Sequence, residues 1–255
     1  MLDLPQVTQL VLTLHYPIHV NAVVDFTFTA IINCLGMRFI DINSLLKKIL
    51  PNNRITRNEK TLHSTYGRIY VISTVSNVPF KKSEEKKLIK VLILKSLYKE
   101  LTDISVEVNR IYQIQIVILI ASFFTVLTGF YYISFAGIFF KNIDLHEHWS
   151  AKVNGLLWCI AYSYRFYDIT ITCSRVSSEA MKTKEILFEI RNATEDEELQ
   201  CEIDQFTLQI TQCPLVFTAC GLFTLDYSFF ENFIGRVLMY TVILIQFSPD
   251  VQNLL

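Results

Sequence analysis

Apolar positions along this chain come in long blocks rather than in the two-residue alternation of half-buried strands. Ile111–Phe140 runs thirty residues without a charge. A helix needs roughly 20 such residues to cross about 30 Å of hydrocarbon, so this block predicts a membrane span. Val7–Leu35 is also long enough but carries His15, His19, Asn21 and Asp25. Trp149–Cys173 carries Lys152, Arg165 and Asp168. Charges inside a span are costly and normally face protein or a wet cavity, so these two helices need neighbours. Arg165 and Asp168 lie three residues apart, on one helical face, and are predicted to pair within the membrane. Lining of a polar cavity is the alternative.

The last region is apolar twice over, in Gln205–Leu225 and again in Tyr227–Phe247, where only Glu231 and Arg236 interrupt. Pro214 and Gly221 lie inside the first stretch, and no Gly or Pro marks a turn at Asp226. One continuous helix over both would be about 65 Å long, twice a bilayer. The expectation is one crossing, 227–247, preceded by an apolar helix over 205–225 buried in protein outside the bilayer. The fold class predicted is an all-α integral membrane protein with spans at about 7–35, 111–140, 149–173 and 227–247.

Between spans the pattern changes. Residues 51–82 are polar and lack helical periodicity, which predicts a flexible stretch within the long linker 36–110. Over 83–110, Leu88, Val91, Leu94, Leu97, Leu101, Ile104 and Val108 recur at three- and four-residue steps. That spacing predicts an amphipathic helix running directly into the second span. Residues 175–200 predict another helix leaving the third span, with an acidic patch at Glu195–Glu198. With 205–225, these form the expected anchor helices. Lys and Arg near span ends gather on the side of the long linker, from Arg38 and Lys47 through Lys99 and Arg110 to Arg175 and Arg191. Lys141 and Lys152 alone lie opposite. The linker is therefore expected to be cytoplasmic and the C-terminus extracellular. The glycosylation pattern Asn192-Ala193-Thr194 falls on the cytoplasmic side and is expected to be unused.

Composition agrees. Of 255 residues, 51% are apolar and 18% charged, against about 25% charged in an average soluble domain. The net charge of −1 excludes a generally basic nucleic-acid binder. The first twenty residues hold no Lys or Arg, so no secretory signal peptide is expected. Six cysteines show no CxxC spacing, and no His/Cys cluster suggests a metal. Phosphate-binding, dinucleotide, zinc-protease and nucleophile-elbow motifs are absent, so neither an enzyme nor a cofactor is expected.

Four blocks carry a family resemblance. Gly221–Phe247 reads GLFTLDYSFFENFIGRVLMYTVILIQF. Its end resembles the insect gustatory receptor family, whose last span closes with Thr-Tyr, five apolar residues and Gln-Phe. Tyr240 matches the Tyr, Thr241–Ile245 are the five, and Gln246 and Phe247 close the pattern; Met239 replaces the usual Thr. Leu97–Ile120 resembles the family's approach to its fifth span, Gly36–Leu46 the exit from its fourth, and Cys213–Ser228 the approach to its seventh.

The resemblance implies the seven-span insect chemoreceptor fold. The four spans here would correspond to spans four to seven, in an N-terminally truncated member. It also implies a tetrameric, ligand-gated, non-selective cation channel in the plasma membrane that detects a small-molecule tastant. The seventh span would line the pore. Tyr240, Ile243, Gln246 and Phe247 would then lie along the pore and gate, where a Phe ring closes by dewetting and a Gln amide stabilises a partly hydrated ion. Ligand-pocket candidates, chosen for polarity or aromaticity at suitable depth, are His19, Tyr132 and Trp158. The rival readings are an odorant receptor subunit of the same superfamily, a non-functional fragment, a secondary transporter, which would show internal repeats, and a G-protein-coupled receptor, which would have the opposite orientation.

Overall fold

A computed structural model describes residues 4–50, 81–139 and 149–247, with side chains described over 20–50, 85–134 and 153–247. Three long helices dominate: α1 (Leu4–Lys47), α2 (Lys81–Phe139) and α3 (Trp149–Ala193). A shorter α4 (Glu197–Gln212), a two-stranded hairpin of β1 (Thr218–Ala219) and β2 (Phe223–Thr224), and α5 (Tyr227–Gln246) follow. The chain is an all-α membrane protein apart from that hairpin. Three stretches among the described residues are long and apolar enough to cross a bilayer: Val20–Lys47, Glu85–Ser134 and Tyr227–Gln246. The segment 149–173 is helical, as expected, but is not one of these three. Arg165, Asp168, Thr170 and Thr172 dilute its apolar character.

In α2 the amphipathic stretch runs into the apolar block without a break, as its spacing predicts, and the 59-residue helix is about 88 Å long. Residues 51–80 of the expected flexible stretch lie outside the described residues, while Lys81 and Lys82 open α2.

Two expectations fail, each because a local signal outweighs periodicity. The helix expected over 175–200 ends at Ala193, and α4 restarts at Glu197. Asp196 caps α4 by accepting from the Glu198 N–H at 3.1 Å, and Glu197 and Glu198 favour the positive end of the helix dipole. The acidic patch thus marks a helix start rather than the continuation of α3.

The helix expected over 205–225 stops at Gln212. Pro214 biases the residue before it away from helical geometry, and Cys213 caps the end with φ −125° and ψ 67°. The chain then folds back as a hairpin pairing Thr218 with Thr224 and Ala219 with Phe223. Its turn needs positive φ at both central residues, supplied by Cys220 (51°) and Gly221 (69°). The Thr218 N–H donates to Asn109 Oδ1 at 3.2 Å, tying the hairpin to α2. Asp226 then starts α5 by accepting from the Phe229 N–H at 2.7 Å.

The core is continuous from the α4 end of the bundle, here called the base, into its apolar half. At the base α4 lies against α2 and α3 and buries Leu199, Ile203, Phe206 and Ile210. Tyr98 of α2 joins four helices. Its ring stands edge-on to Phe39 of α1 and Phe206 of α4, each at 5.4 Å, and its hydroxyl donates to the Ala180 carbonyl of α3 at 3.2 Å. Asn43 of α1 donates to the Glu179 carbonyl at 2.9 Å and accepts from the Thr183 hydroxyl at 2.7 Å, which fixes the register of α1 on α3. Gly36 permits their close approach: a Cβ there would meet Val176 Cγ2 at 2.7 Å.

Candidate functional site

In the apolar half, Phe166 of α3 is the hub. Its ring lies 5.4 Å from Phe123 of α2 and 4.4 Å from Phe233 of α5, with Phe229 and Phe230 within 6 Å. Phe124 stands edge-on to Phe233 at 6.2 Å and to Tyr240 at 5.3 Å. These rings hold α5 to α2 and α3 along the stripe Phe233, Val237 and Thr241. The rest of α5 is little covered.

The candidate pore residues occupy the C-terminal part of that helix. Tyr240 packs its ring on Phe124 and is 46% exposed. Ile243 is half-buried. Gln246 is the last helical residue and exposed, and Phe247 caps the helix, 73% exposed. Gln246 and Phe247 are thus left uncovered among the described residues, whereas Tyr240 serves the α2–α5 contact.

The ion pair expected within the membrane forms with a different acid. Arg165 pairs with Asp25 of α1, not with Asp168 of its own helix. Burial decides: Asp25 is 6% exposed, whereas Asp168 stays half-exposed. A carboxylate held in so dry a place needs a cation, and the guanidinium crossing from α3 supplies it. The Arg165 guanidinium also lies 5.8 Å over the Phe123 ring and 5.5 Å over the Tyr162 ring. The other Asp25 oxygen finds no hydrogen bond among the described residues. Asp25 alone carries charge between Leu4 and Met37, and that was the signal in the sequence. Its partner could not be read there, because 140 residues separate the two.

Arg165 also borders a cavity of about 210 Å³ where α1, α2 and α3 meet. Asn21, Ser122, Thr125 and Tyr162 give it polar groups, and Leu119 and Phe123 apolar walls. Of the ligand-pocket candidates, Trp158 is half-buried with its ring 5.9 Å from that of Tyr162. Tyr132 is half-buried further along α2. His19 belongs to α1, two residues before Asn21, and its side chain lies outside the described residues. The sequence reading passed over Ser122, Thr125 and Tyr162, since small hydroxyls and single tyrosines in an apolar run give no pattern.

Towards the base, charged groups pair at the surface. Lys95 bridges to Glu202 at 3.0 Å and Arg191 to Asp204 at 2.6 Å, fastening α4 to α2 and α3. Asp204 raises the Arg191 guanidinium above its ordinary value through hydrogen bonding and charge, and Glu179 does the same for Lys182. No group of three or more His, Cys, Asp or Glu among the described residues could hold a metal.

Long continuous helices, three of them with stretches apolar enough to cross a bilayer, define a multi-pass membrane protein. The sequence matches the 7tm Chemosensory receptor family across residues 2–250, and the chain belongs to that family, as its resemblance to the insect gustatory receptors implied. Two Drosophila melanogaster proteins carrying the names gustatory receptor 28b and 28a are similar to it. The first is 21% identical over 95% of this chain and 52% of its own length. The second is 25% identical over 90% and 54%. Gustatory receptor 68a of the same organism is 30% identical over 50% of this chain and 32% of its own. All three are receptors by name, none an enzyme. The chain spans about half the length of the first two relatives.

Proposed function

We propose that the chain is a subunit of a ligand-gated, non-selective cation channel that senses a small-molecule tastant, assembled with other receptor subunits as a tetramer in the plasma membrane. The observation that carries this reading is α5, an apolar helix of 20 residues that buries only Phe233, Val237 and Thr241 against its own chain. Such a helix is completed by lipid, by neighbouring copies and by a water path. Gln246 and Phe247 form the gate in this reading. Phe247 closes by dewetting and Gln246 coordinates a partly hydrated ion, with Ile243 one turn below. Tyr240 couples the gate to α2 through Phe124.

The ligand occupies the cavity bordered by Tyr162 and Arg165, with Trp158 packed beside Tyr162. Binding there shifts the gate only as far as the ligand prefers the open arrangement. The excess of Lys and Arg on one side supports a cytoplasmic base with its anchor helices and an extracellular C-terminus.

The test is ligand-evoked current in cells expressing the full-length receptor. Gln246→Ala is expected to change gating or ion selectivity at unchanged surface level. Unaltered gating and selectivity would remove the gate assignment. Tyr162→Ala is expected to raise the half-activating ligand concentration, and an unchanged value would move the pocket elsewhere.

A further inference from the structure

The uncovered side of α5 is patterned. Ser228, Asn232, Gly235, Met239, Val242 and Gln246 follow one another at four- and three-residue steps, so they share one helical face. All six are exposed, and the face lies opposite the buried stripe. Four of the six, Ser228, Asn232, Gly235 and Gln246, are polar or small, while Met239 and Val242 are apolar.

Two charges flank it. Glu231 immediately precedes Asn232 and Arg236 immediately follows Gly235, so at about 100° per residue they project to opposite sides of the face. Both are exposed. Tyr227 lies one helical turn before Glu231, and Arg236 makes no ion pair among the described residues. A span cannot cheaply present a lone guanidinium to hydrocarbon. Among the described residues nothing covers this side of α5, so the counter-charge is sought beyond them, on a neighbouring copy.

We propose that Arg236 pairs with Glu231 of the partner subunit in a head-to-tail ring of α5 helices, with the face carrying Ser228, Asn232 and Gln246 turned inward to a shared water path. This rests on the channel reading. In such a ring each copy offers one flank to the neighbour on its left and the other flank to the neighbour on its right. Opposite charges on opposite flanks then meet at every interface, whereas two like charges would repel at every one. The five-residue offset between the partners is about 7.5 Å along the helix, within reach of an extended arginine side chain. A lipid neighbour would meet neither charge, and a two-fold dimer would bring like flanks together.

The test uses the full receptor chain in cells, extracted in mild detergent, with the assembled fraction read on native gels. Glu231→Arg and Arg236→Glu are each expected to lower that fraction about tenfold or more, the scale for breaking one desolvated interfacial pair. The double reversal is expected to return it to within about twofold of the unaltered chain. Co-expression of the two single variants should also restore assembly, because an alternating ring of them satisfies every pair between copies. That arm holds even where each single variant is lost on its own.

Single reversals that leave assembly intact would overturn the pairing. So would a failure of both the double reversal and the co-expression to restore it. Assembly is scored without current. A normally assembled receptor that never conducts would therefore defeat the channel reading, while intact assembly in the single variants would defeat the pair alone.

Discussion

Helices α4 and α5 are near neighbours in sequence and opposites in how they are held. The less apolar α4 buries four residues of its sixteen, all at 1% exposure or less. The more apolar α5 buries three of its twenty and leaves Leu238, Met239, Val242 and Leu244 each 40% exposed or more. Apolar content therefore does not predict which helix the chain itself covers. In water an amphipathic helix is held by burying its apolar stripe. In lipid the surroundings are as apolar as leucine, so packing, polar contacts and partners decide. At the base the chain buries the apolar stripe of α4 in its own core, whereas at the far end it leaves most of α5 uncovered.

The contrast breaks most sharply at the base. Phe206→Ala removes a fully buried ring from under Tyr98 and is expected to cost about 3–5 kcal/mol. Thermal unfolding of the detergent-solubilised chain would show it as a large fall in midpoint. Arg165→Met comes next. It leaves the Asp25 carboxylate buried without its cation, at a cost of roughly 2–3 kcal/mol once the partial exposure of Arg165 is discounted. An Asp25→Asn/Arg165→Met double variant should recover part of that loss, and strictly additive losses would show that the two charges are not coupled.

Gly36→Leu forces a side chain against Val176 and is expected to cost about 1–3 kcal/mol, again read as a midpoint shift. Tyr98→Phe keeps the ring contacts and loses only the bond to the Ala180 carbonyl, so a loss of about 1 kcal/mol is expected. Leu238→Ala lies on the uncovered side of α5, and the extracted single chain should change by less than about 0.5 kcal/mol. A loss there as large as at Phe206 would mean that α5 is held by its own chain after all.

Much of the architecture was legible before any coordinates. The charge-free run Ile111–Phe140 and the spacing from Leu88 to Val108 together predict α2, and both lie in it, to Phe139. The C-terminal pattern ending at Gln246 and Phe247 coincides with the end of α5. The misses are local. Periodicity carried the reading through Thr194–Asp196 and past Pro214, where a capping carboxylate and the geometry before proline end the helices instead. Arg165 was recognised as needing a partner, but the nearest acid in sequence was chosen over the one that the packing of α1 on α3 brings close.

Helix type, length and apolar phase follow from the sequence alone, because the spacing of side chains around a helix is fixed by its geometry. The presence of charges inside a span was equally plain. Pairing was decided by the tertiary structure, which brought Asp25 to Arg165 over 140 residues, gathered four helices around Tyr98 and left one face of α5 open. Those outcomes depend on which helices become neighbours and at what register. Close packing and the cost of an unpaired buried charge choose among arrangements that the pattern of one helix cannot tell apart.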